Sequence, residues 1–248
     1  MIGHIYTLIF YQPVYNALIA LIGFLPTADV GLAVVILTIV IKLILFPLTQ
    51  KGLVTQQRMK DLEAPLAAIK EKYKDDTEMQ TKETFALYKK YKVNPFLSIL
   101  TLLIQLPIIL TLYWVFTRGG LPVIKPELLY SFVHIPAVIS MKFLGLLNIQ
   151  KRSIFLAVCA GLSQFASAHY SLRDQTVATT GTSFKDDMMK GMQLQMRFVL
   201  PGIIFLLGLE FAGAVALYWT VSNLFIVGQE IYLRHIGVKG PNKKKLEY

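Results

Sequence analysis

Lys42 has an unusual chemical position, because it is the only charged residue in the apolar run 30–48. At about 1.5 Å per residue, a helix over this run is about 28 Å long, close to the thickness of a bilayer's hydrocarbon core. A lysine in the middle of such a span costs about 2.5–3.5 kcal/mol and usually faces a polar interior or water. Snorkelling to the nearer membrane surface is the alternative, but helical side chains lean towards the helix N-terminus, away from that surface. The position therefore favours a charged, water-accessible cavity around Lys42.

Further polar side chains lie inside the other apolar runs: Gln105, Ser163, Gln164, Tyr218, Trp219, Thr220, Ser222, Asn223 and Gln229. The predicted groove residues among them are Gln105, Gln164, Tyr218, Trp219, Ser222 and Asn223. Tyr218 and Ser222 are four residues apart and therefore share one helical face. Trp219 and Asn223 share the adjacent face for the same reason. Any one of these residues could simply join two helices, since polar groups hydrogen-bond across helix interfaces in membranes. Together with Lys42 they predict one polar concavity inside the membrane.

The residue patterns of common enzyme active sites are missing from the sequence. It contains no HExxH, no GxSxG and no Walker-type glycine motif. Cys159 is the single cysteine and the four histidines are dispersed, so neither a Cys/His pair nor a metal-ligand cluster is evident. We therefore expect no enzymatic activity, no bound metal and no cofactor.

Composition indicates whether these polar residues belong to a water-soluble protein or to a membrane protein. Hydrophobic residues make up 54% of the 248 residues and charged residues only 16%, yet the formal net charge is +10. An apolar content this high excludes a disordered chain, and a single cysteine excludes a disulfide scaffold. The combination predicts a membrane protein whose charges are concentrated in its loops.

Five apolar runs are predicted to cross the membrane as helices: 30–48, 96–116, 153–170, 193–209 and 211–233. An odd number of spans places the two termini on opposite sides. Nineteen of the 25 Lys and Arg residues lie in segments 50–94, 171–197 and 234–248, and five lie in 118–152. The positive-inside rule then places the N-terminus outside and the C-terminus in the cytoplasm. The predicted fold class is an all-α, polytopic protein of the cytoplasmic (plasma) membrane.

Two further segments are predicted to lie along the membrane surface. Segment 1–29 is apolar but interrupted by Gln12, Pro13 and Asn16, which favours an interfacial amphipathic helix over an uncleaved start of the first span. The exterior segment 118–152 is rich in aromatic residues and proline, and we expect it to pack at the membrane surface rather than to form a domain.

Segment 50–94 has the pattern of a cytoplasmic helical hairpin. Apolar residues at helical spacing predict two helices, one marked by Leu62, Leu66, Ile69 and Tyr73 and the other by Phe85, Tyr88 and Tyr91. With ten basic and seven acidic residues, the segment has a net charge of only +3. It is therefore either a solvated structural hairpin or a docking arm for a partner.

The loop 171–192 and the tail 234–248 are also expected in the cytoplasm. The tail carries Lys243, Lys244 and Lys245 in succession. Such a cluster suits anionic lipid or the phosphates of ribosomal RNA, and it is explained equally well as a topology anchor. No preference for a particular nucleic-acid sequence is expected.

Several short motifs occur in an order and spacing shared with a known family: Tyr11–Asn16 (YQPVYN), Gly31–Ala33 (GLA), Lys42–Thr49 (KLILFPLT), Val93–Pro95 (VNP), Ile104–Pro107 (IQLP), Leu217–Trp219 (LYW) and Ser222–Asn223 (SN). Over nearly its whole length, the chain resembles the YidC-type membrane protein insertases, the bacterial relatives of the mitochondrial Oxa and chloroplast Albino insertases. The resemblance is to a short form, without the large periplasmic domain of some relatives.

The resemblance implies a five-helix core that encloses a hydrophilic groove, open to the cytoplasm and to lipid and closed on the outside. In the family, a positive residue of the first span lies in this groove and attracts the polar or acidic segment of an incoming protein. Lys42 has that position here, although the family usually has Arg, whose charge persists more strongly on burial. Gln105 and Trp219 match other groove-lining positions. Residues 211–216 (FAGAVA) depart from the family, which usually has Pro-X-Gly before the LYW motif.

The expected function is therefore that of a membrane protein insertase and chaperone that works without nucleotide hydrolysis. The implied partners are nascent membrane proteins and membrane lipid, with the ribosome and a Sec-type translocon as further candidates. The main alternative is a small solute transporter or channel that uses the same intramembrane residues, although the sequence lacks the inverted repeat common in transporters. A structural scaffold for another translocon is the third interpretation.

Overall fold

The computed structural model describes residues 2–94, 96–117, 120–172 and 194–235, which are mostly helical. These residues belong to two compact units, one formed by Met1–Ile44 and Gln105–Gly228 and the other by Leu45–Ile104 and Gln229–Tyr248. Almost all of the predicted cytoplasmic loop 171–192 and the three lysines of the tail lie outside the described residues.

The first unit begins with an N-terminal helical run that is fixed by buried polar side chains. Helix α1 (Ile2–Tyr6), a π-helical turn (Thr7–Tyr11) and helix α2 (Gln12–Phe24) follow one another along the chain. The Asn16 amide donates to the carbonyl of Leu128 at 2.8 Å, and its oxygen accepts from the Tyr130 N–H at 2.7 Å. Asn16, which interrupts the apolar pattern in the sequence, thus ties α2 to the exterior segment.

Helix α3 (Val30–Asp61) contains the first predicted span and continues well beyond its predicted end at residue 48. Asp29 starts the helix, because its carboxylate accepts the Leu32 N–H at 3.0 Å as an N-cap. Ala28, with φ of 48°, belongs to the turn that separates α3 from α2. Pro47 lies inside the helix without ending it.

Two helices of the second unit lie where the apolar spacing predicts a hairpin. Helix α4 spans Glu63–Lys72 and helix α5 spans Thr77–Lys90. Asp76 caps α5 by accepting the Met79 N–H at 2.9 Å. The cytoplasmic position of this hairpin remains a prediction.

The exterior segment has little regular structure. It contains a 3₁₀ turn (Pro126–Leu128) and two antiparallel strands, β1 (Lys142–Phe143) and β2 (Leu147–Asn148), which pair Lys142 with Asn148. This hairpin is the one sheet within the described ranges, so the observed fold departs from the predicted all-α class only here.

The remaining helices lie at the predicted second to fifth spans. They are α6 (Phe96–Thr117), α7 (Ile154–Leu172), a π-helical turn (Gln195–Val199) leading into α8 (Leu200–Glu210), and α9 (Gly213–His235). Helices α7 and α8 pack closely, because a Cβ on Gly208 would lie only 3.0 Å from Cα of Ala157. Small residues allow this approach, as is usual between helices in membranes.

Two helical stretches of the described residues are long and apolar enough to cross a bilayer, His4–Phe24 and Val30–Thr55. Only 28% and 39% of their most apolar windows are buried in protein, whereas the core helix of a soluble protein is mostly buried. These features agree with a mostly helical membrane protein. The crossing of the bilayer by five helices, and the interfacial position of the N-terminal segment, remain predictions.

Candidate functional site

Helix α3 has a buried polar face and an exposed apolar face. Val34, Thr38 and Lys42 follow one another at four-residue spacing, which places them on one face, and all three are buried. Leu43 and Ile44, the next two residues, are 57% and 70% exposed. In a water-soluble protein the lysine would be exposed and the two apolar residues buried. The reversed arrangement agrees with a helix of a membrane protein, in which the buried face carries Thr38 and Lys42 among apolar residues.

Lys42 is held by a neutral partner. The residue is only 6% exposed, and its Nζ donates to Oε1 of Gln105 on α6 at 3.0 Å. Within the described ranges, no carboxylate forms an ion pair with Lys42. A lysine ammonium has three N–H donors, so Gln105 accepts one of the three. Among the described residues, the Lys42 amine therefore has an amide partner and no carboxylate partner.

Gln105 links Lys42 to the last helix. Its Nε2 donates to the hydroxyl of Tyr218 and also approaches Oγ of Ser222 at 3.4 Å. Tyr218 and Ser222 lie one turn apart on α9 and are buried, with 1% and 2% exposure. The structure thus brings Lys42, Gln105, Tyr218 and Ser222 into one hydrogen-bonded network across three helices.

Asn223 belongs to a neighbouring contact with α7. Its Nδ2 donates to Oγ of Ser163 at 3.2 Å, and Ser163 in turn donates to the carbonyl of Ala160 at 2.9 Å. Gln164, a predicted groove residue, shows no hydrogen bond to the described residues. Consecutive helical residues differ in direction by about 100°, so the side chain that reaches α9 is Ser163.

Trp219 lies outside the hydrogen-bonded network. It is buried, and its ring stacks on that of Phe211 with a centroid distance of 5.9 Å. The neighbouring turn is held by its backbone. The N–H groups of Gly213 and Ala214 donate to the carbonyls of Lys151 and Ile149, each at 2.9 Å. These bonds satisfy donors at the start of α9, so the turn forms without the Pro-X-Gly motif.

A second buried polar contact lies in the other unit. Gln229 is only 4% exposed, and it exchanges two hydrogen bonds with the Thr49 hydroxyl, at 2.9 and 3.2 Å. Glu230 beside it is buried and lies 3.7 Å from the Arg234 guanidinium. The hydrogen bonds of Gln229, like those of Gln105, are of the kind that joins helices in membranes.

The chemistry available in this network is binding rather than bond-breaking. An amine, an amide, a phenol and a hydroxyl can donate to or accept from a polar ligand. For the residues that the structure describes, no group of three His, Cys, Asp or Glu side chains is placed to hold a metal ion. A hydrogen-bonding face that carries an amine, beside exposed apolar side chains, is suited to holding the polar part of an amphipathic ligand.

Comparison with known proteins gives the family. The family model described as 60Kd inner membrane protein matches residues 23–240. The chain belongs to this family. Its membership confirms the resemblance to the YidC-type insertases that the sequence motifs indicate.

Three similar proteins, two of about this length and one much longer, are each named membrane protein insertase YidC. The Clostridium perfringens relative is 28% identical over 248 residues, which is 100% of this chain and 95% of the relative. The Clostridium tetani relative is 29% identical over 214 residues, 86% of each protein. The Wolinella succinogenes relative is 31% identical over 203 residues, 82% of this chain but 33% of the relative. The chain thus spans about a third of the longer protein and most of the clostridial ones.

Two residues of these contacts, Ser163 and Thr49, are not among the predicted groove residues, although Ser163 is one of the polar residues that the sequence places inside the third span. Ser163 lies three residues after Ala160 and four before Ser167, on the small-residue face of α7 that is buried. That spacing distinguishes it from Gln164. Thr49 carries no comparable signal, because a threonine at the end of an apolar run fits a helix boundary equally well.

Proposed function

We propose that this chain is a membrane protein insertase and chaperone, which helps newly made proteins enter and fold in the cytoplasmic membrane. The observation that carries the proposal is the buried Lys42, whose apolar neighbours Leu43 and Ile44 are exposed. Membership of the family, and the names of its relatives, support the same activity.

Five spans enclose a hydrophilic groove in this proposal, open to the cytoplasm and to lipid. The groove residues are those predicted from the sequence, with Ser163 added: Lys42, Gln105, Ser163, Gln164, Tyr218, Trp219, Ser222 and Asn223. The hydrogen bonds that join Lys42 to Gln105, and Gln105 to Tyr218, support this assignment because they connect polar side chains of three separate helices.

The groove acts by lowering the free energy of an otherwise unfavourable intermediate. A polar segment that enters hydrocarbon leaves backbone groups without partners, at several kcal/mol each. Lys42 attracts an acidic or polar segment, and the hydroxyl and amide groups around it supply hydrogen bonds. The apolar segment of the same client then slides along the lipid-facing opening, and its burial, at about 25 cal/mol per Å² of apolar surface, drives insertion. Nucleotide hydrolysis has no part in these steps.

The topology has the N-terminus outside and the C-terminus in the cytoplasm. The excess of basic residues in 50–94, 171–197 and 234–248 supports this orientation. The helical hairpin α4–α5 then projects into the cytoplasm, where it receives the nascent chain. The ribosome, reached by the basic tail and the cytoplasmic loops, and a Sec-type translocon are the further proposed partners.

Site-specific photo-crosslinking tests the groove. A photo-reactive amino acid is placed at Gln105, at Trp219 or, as a control, at Phe155, which is 62% exposed on α7 and outside the network. Each variant is illuminated with a ribosome-stalled, single-span membrane protein as the client. Adducts at Gln105 and Trp219, with few at Phe155, are the expected result. Adducts at Phe155 alone would contradict the groove.

A further inference from the structure

The β1–β2 hairpin of the exterior segment has two exposed leucines at its tip. Leu144 and Leu146 flank Gly145 in the three-residue loop, and they are 62% and 84% exposed. Leu144 has φ of 50° and Gly145 has φ of 75°. Glycine and asparagine are common in this left-handed region, whereas leucine is disfavoured there. An exposed leucine at such a position points to a role for that apolar side chain outside the fold.

The same hairpin is fastened to the first turn of α3. The Leu144 N–H donates to Oδ2 of Asp29 at 2.7 Å, and the Val30 N–H donates to the Ser140 carbonyl at 3.0 Å. Gly31 faces Phe143 so closely that a Cβ on the glycine would lie 2.6 Å from the phenylalanine side chain. The hairpin therefore cannot move far along α3 without breaking these contacts.

The attachment point fixes where the hairpin lies relative to the membrane. The apolar run of α3 starts at Val30 and is about as long as the hydrocarbon core is thick. Its first turn, and the hairpin bound to it, consequently lie at the boundary between hydrocarbon and headgroups. Helix α3 also exposes apolar side chains further along its length, including Ile39 and Leu43.

Charge in the same segment suits a lipid surface. Residues 118–152 contain five Lys and Arg residues and a single acidic residue, Glu127. Lys142 is exposed two residues before the tip. Basic side chains that flank apolar ones are the pattern by which proteins bind anionic phospholipid headgroups. Other large apolar side chains of the segment are also exposed, namely Val123, Phe132, Ile135 and Val138.

We propose that the hairpin tip inserts Leu144 and Leu146 into the leaflet at the N-terminal end of α3, with Lys142 at the phospholipid headgroups. Because the tip is fastened to α3, this insertion sets the depth of the helix in the bilayer. Lys42 lies 12 residues after Val30, about 18 Å further along the helix, so the same contact fixes the depth of its charge. The inference rests on α3 crossing the bilayer, which belongs to the proposed function, and not on insertase activity.

Spin labels on the full-length chain test the proposal. In a Cys159→Ser background the chain has no other cysteine, so a nitroxide can be attached at Leu146→Cys or, in a second variant, Leu144→Cys. The two reference sites are Ile44→Cys, on the exposed face of α3, and Gln150→Cys, exposed just beyond β2. Each protein is reconstituted into vesicles that contain phosphatidylglycerol. Collision rates are measured with oxygen, which concentrates in hydrocarbon, and with a water-soluble nickel chelate.

Oxygen preference at the tip, several-fold above that at Gln150 and approaching that at Ile44, is the expected result. Nickel preference at both tip positions, with oxygen preference at Ile44, would overturn the lipid contact and leave the insertase proposal intact. Protection of the tip from both reagents would also overturn it, because a second copy or another protein would then cover the hairpin. Nickel preference at Ile44 itself would contradict the proposal that α3 spans the membrane, and therefore both proposals.

Discussion

Replacing Gln105 with leucine removes the side chain that, among the described residues, joins Lys42 to the last helix. The substitution eliminates the acceptor for Lys42 Nζ, at 3.0 Å, and the donor to the Tyr218 hydroxyl. Leucine has a similar volume, so the change removes polarity without leaving a large cavity. Lys42 then stays buried without an acceptor among its described neighbours.

The expected loss of stability follows from these two hydrogen bonds. A bond to a charged group contributes about 1.5–3 kcal/mol in soluble proteins and a neutral one about 1 kcal/mol. Interhelical polar contacts in a membrane average about 0.6 kcal/mol. We therefore expect Gln105→Leu to lower the free energy of unfolding by about 1–3 kcal/mol. This corresponds to a factor of about 5 to 150 in the unfolding equilibrium constant.

Reversible unfolding with sodium dodecyl sulfate in mixed micelles, followed by circular dichroism, measures this difference. Gln164→Leu is the matched control, because Gln164 is also a half-buried glutamine in an apolar helix but shows no hydrogen bond to the described residues. The control should change the free energy of unfolding by no more than about 0.5 kcal/mol. Equal effects of the two substitutions would refute the proposed importance of the network.

Four further substitutions give distinct expectations. Gly208→Ala should destabilise the chain by about 1–3 kcal/mol in the same titration, because the new methyl overpacks the α7–α8 contact; Gly202→Ala on the same helix, with open space at its Cβ, should instead stabilise it by about 0.5–1 kcal/mol. Asn16→Leu should accelerate limited proteolysis of the exterior segment several-fold, since its two hydrogen bonds to that segment, at 2.7 and 2.8 Å, are lost; unchanged cleavage would show that the Asn16 side chain does not hold this segment. Gln105→Glu should leave the fold intact but lower client insertion several-fold, because the carboxylate pairs with Lys42; insertion at the unmodified rate, assayed by protease protection, would argue against a role for free positive charge.

The polar network was largely predictable from the sequence, because its polar residues lie within otherwise apolar runs. A lysine or glutamine in the middle of an apolar run requires a partner inside the membrane, which is why Lys42, Gln105, Tyr218 and Ser222 could be grouped from sequence. Helical spacing alone also predicts that Tyr218 and Ser222 share a face. The family resemblance independently groups Lys42 with Gln105 and Trp219.

The phase of α7 was harder to predict, because two adjacent polar residues point in different directions. Gln164 is larger and more polar than Ser163 beside it, so polarity alone favours Gln164 as the groove residue. The buried small residues Ala157 and Ala160 show that the packed face of α7 runs through Ser163 instead. Shape complementarity between helices, rather than polarity, therefore decides which side chain meets Asn223.

Contacts of the exterior segment could not be predicted from the sequence pattern. The bond between Asn16 and Tyr130 joins residues 114 positions apart, and that between Asp29 and Leu144 joins residues 115 apart. Both involve backbone N–H groups in irregular structure, whose positions depend on the whole path of the chain rather than on local periodicity. The continuation of α3 to Asp61 was missed for a different reason, since Pro47 and Thr49 fit the end of a helix equally well.

Neutralising Lys42 tests the central claim most directly. Purified unmodified chain, Lys42→Arg and Lys42→Met are reconstituted into vesicles at equal protein density. Insertion of a single-span client with an acidic leading segment is then followed by protease protection. The charge-based mechanism predicts that Lys42→Arg inserts the client at close to the unmodified level and that Lys42→Met falls several-fold, although methionine is well accommodated among apolar side chains. Equal insertion by all three proteins would contradict the claim that this one buried charge attracts the client, and would favour a structural scaffold.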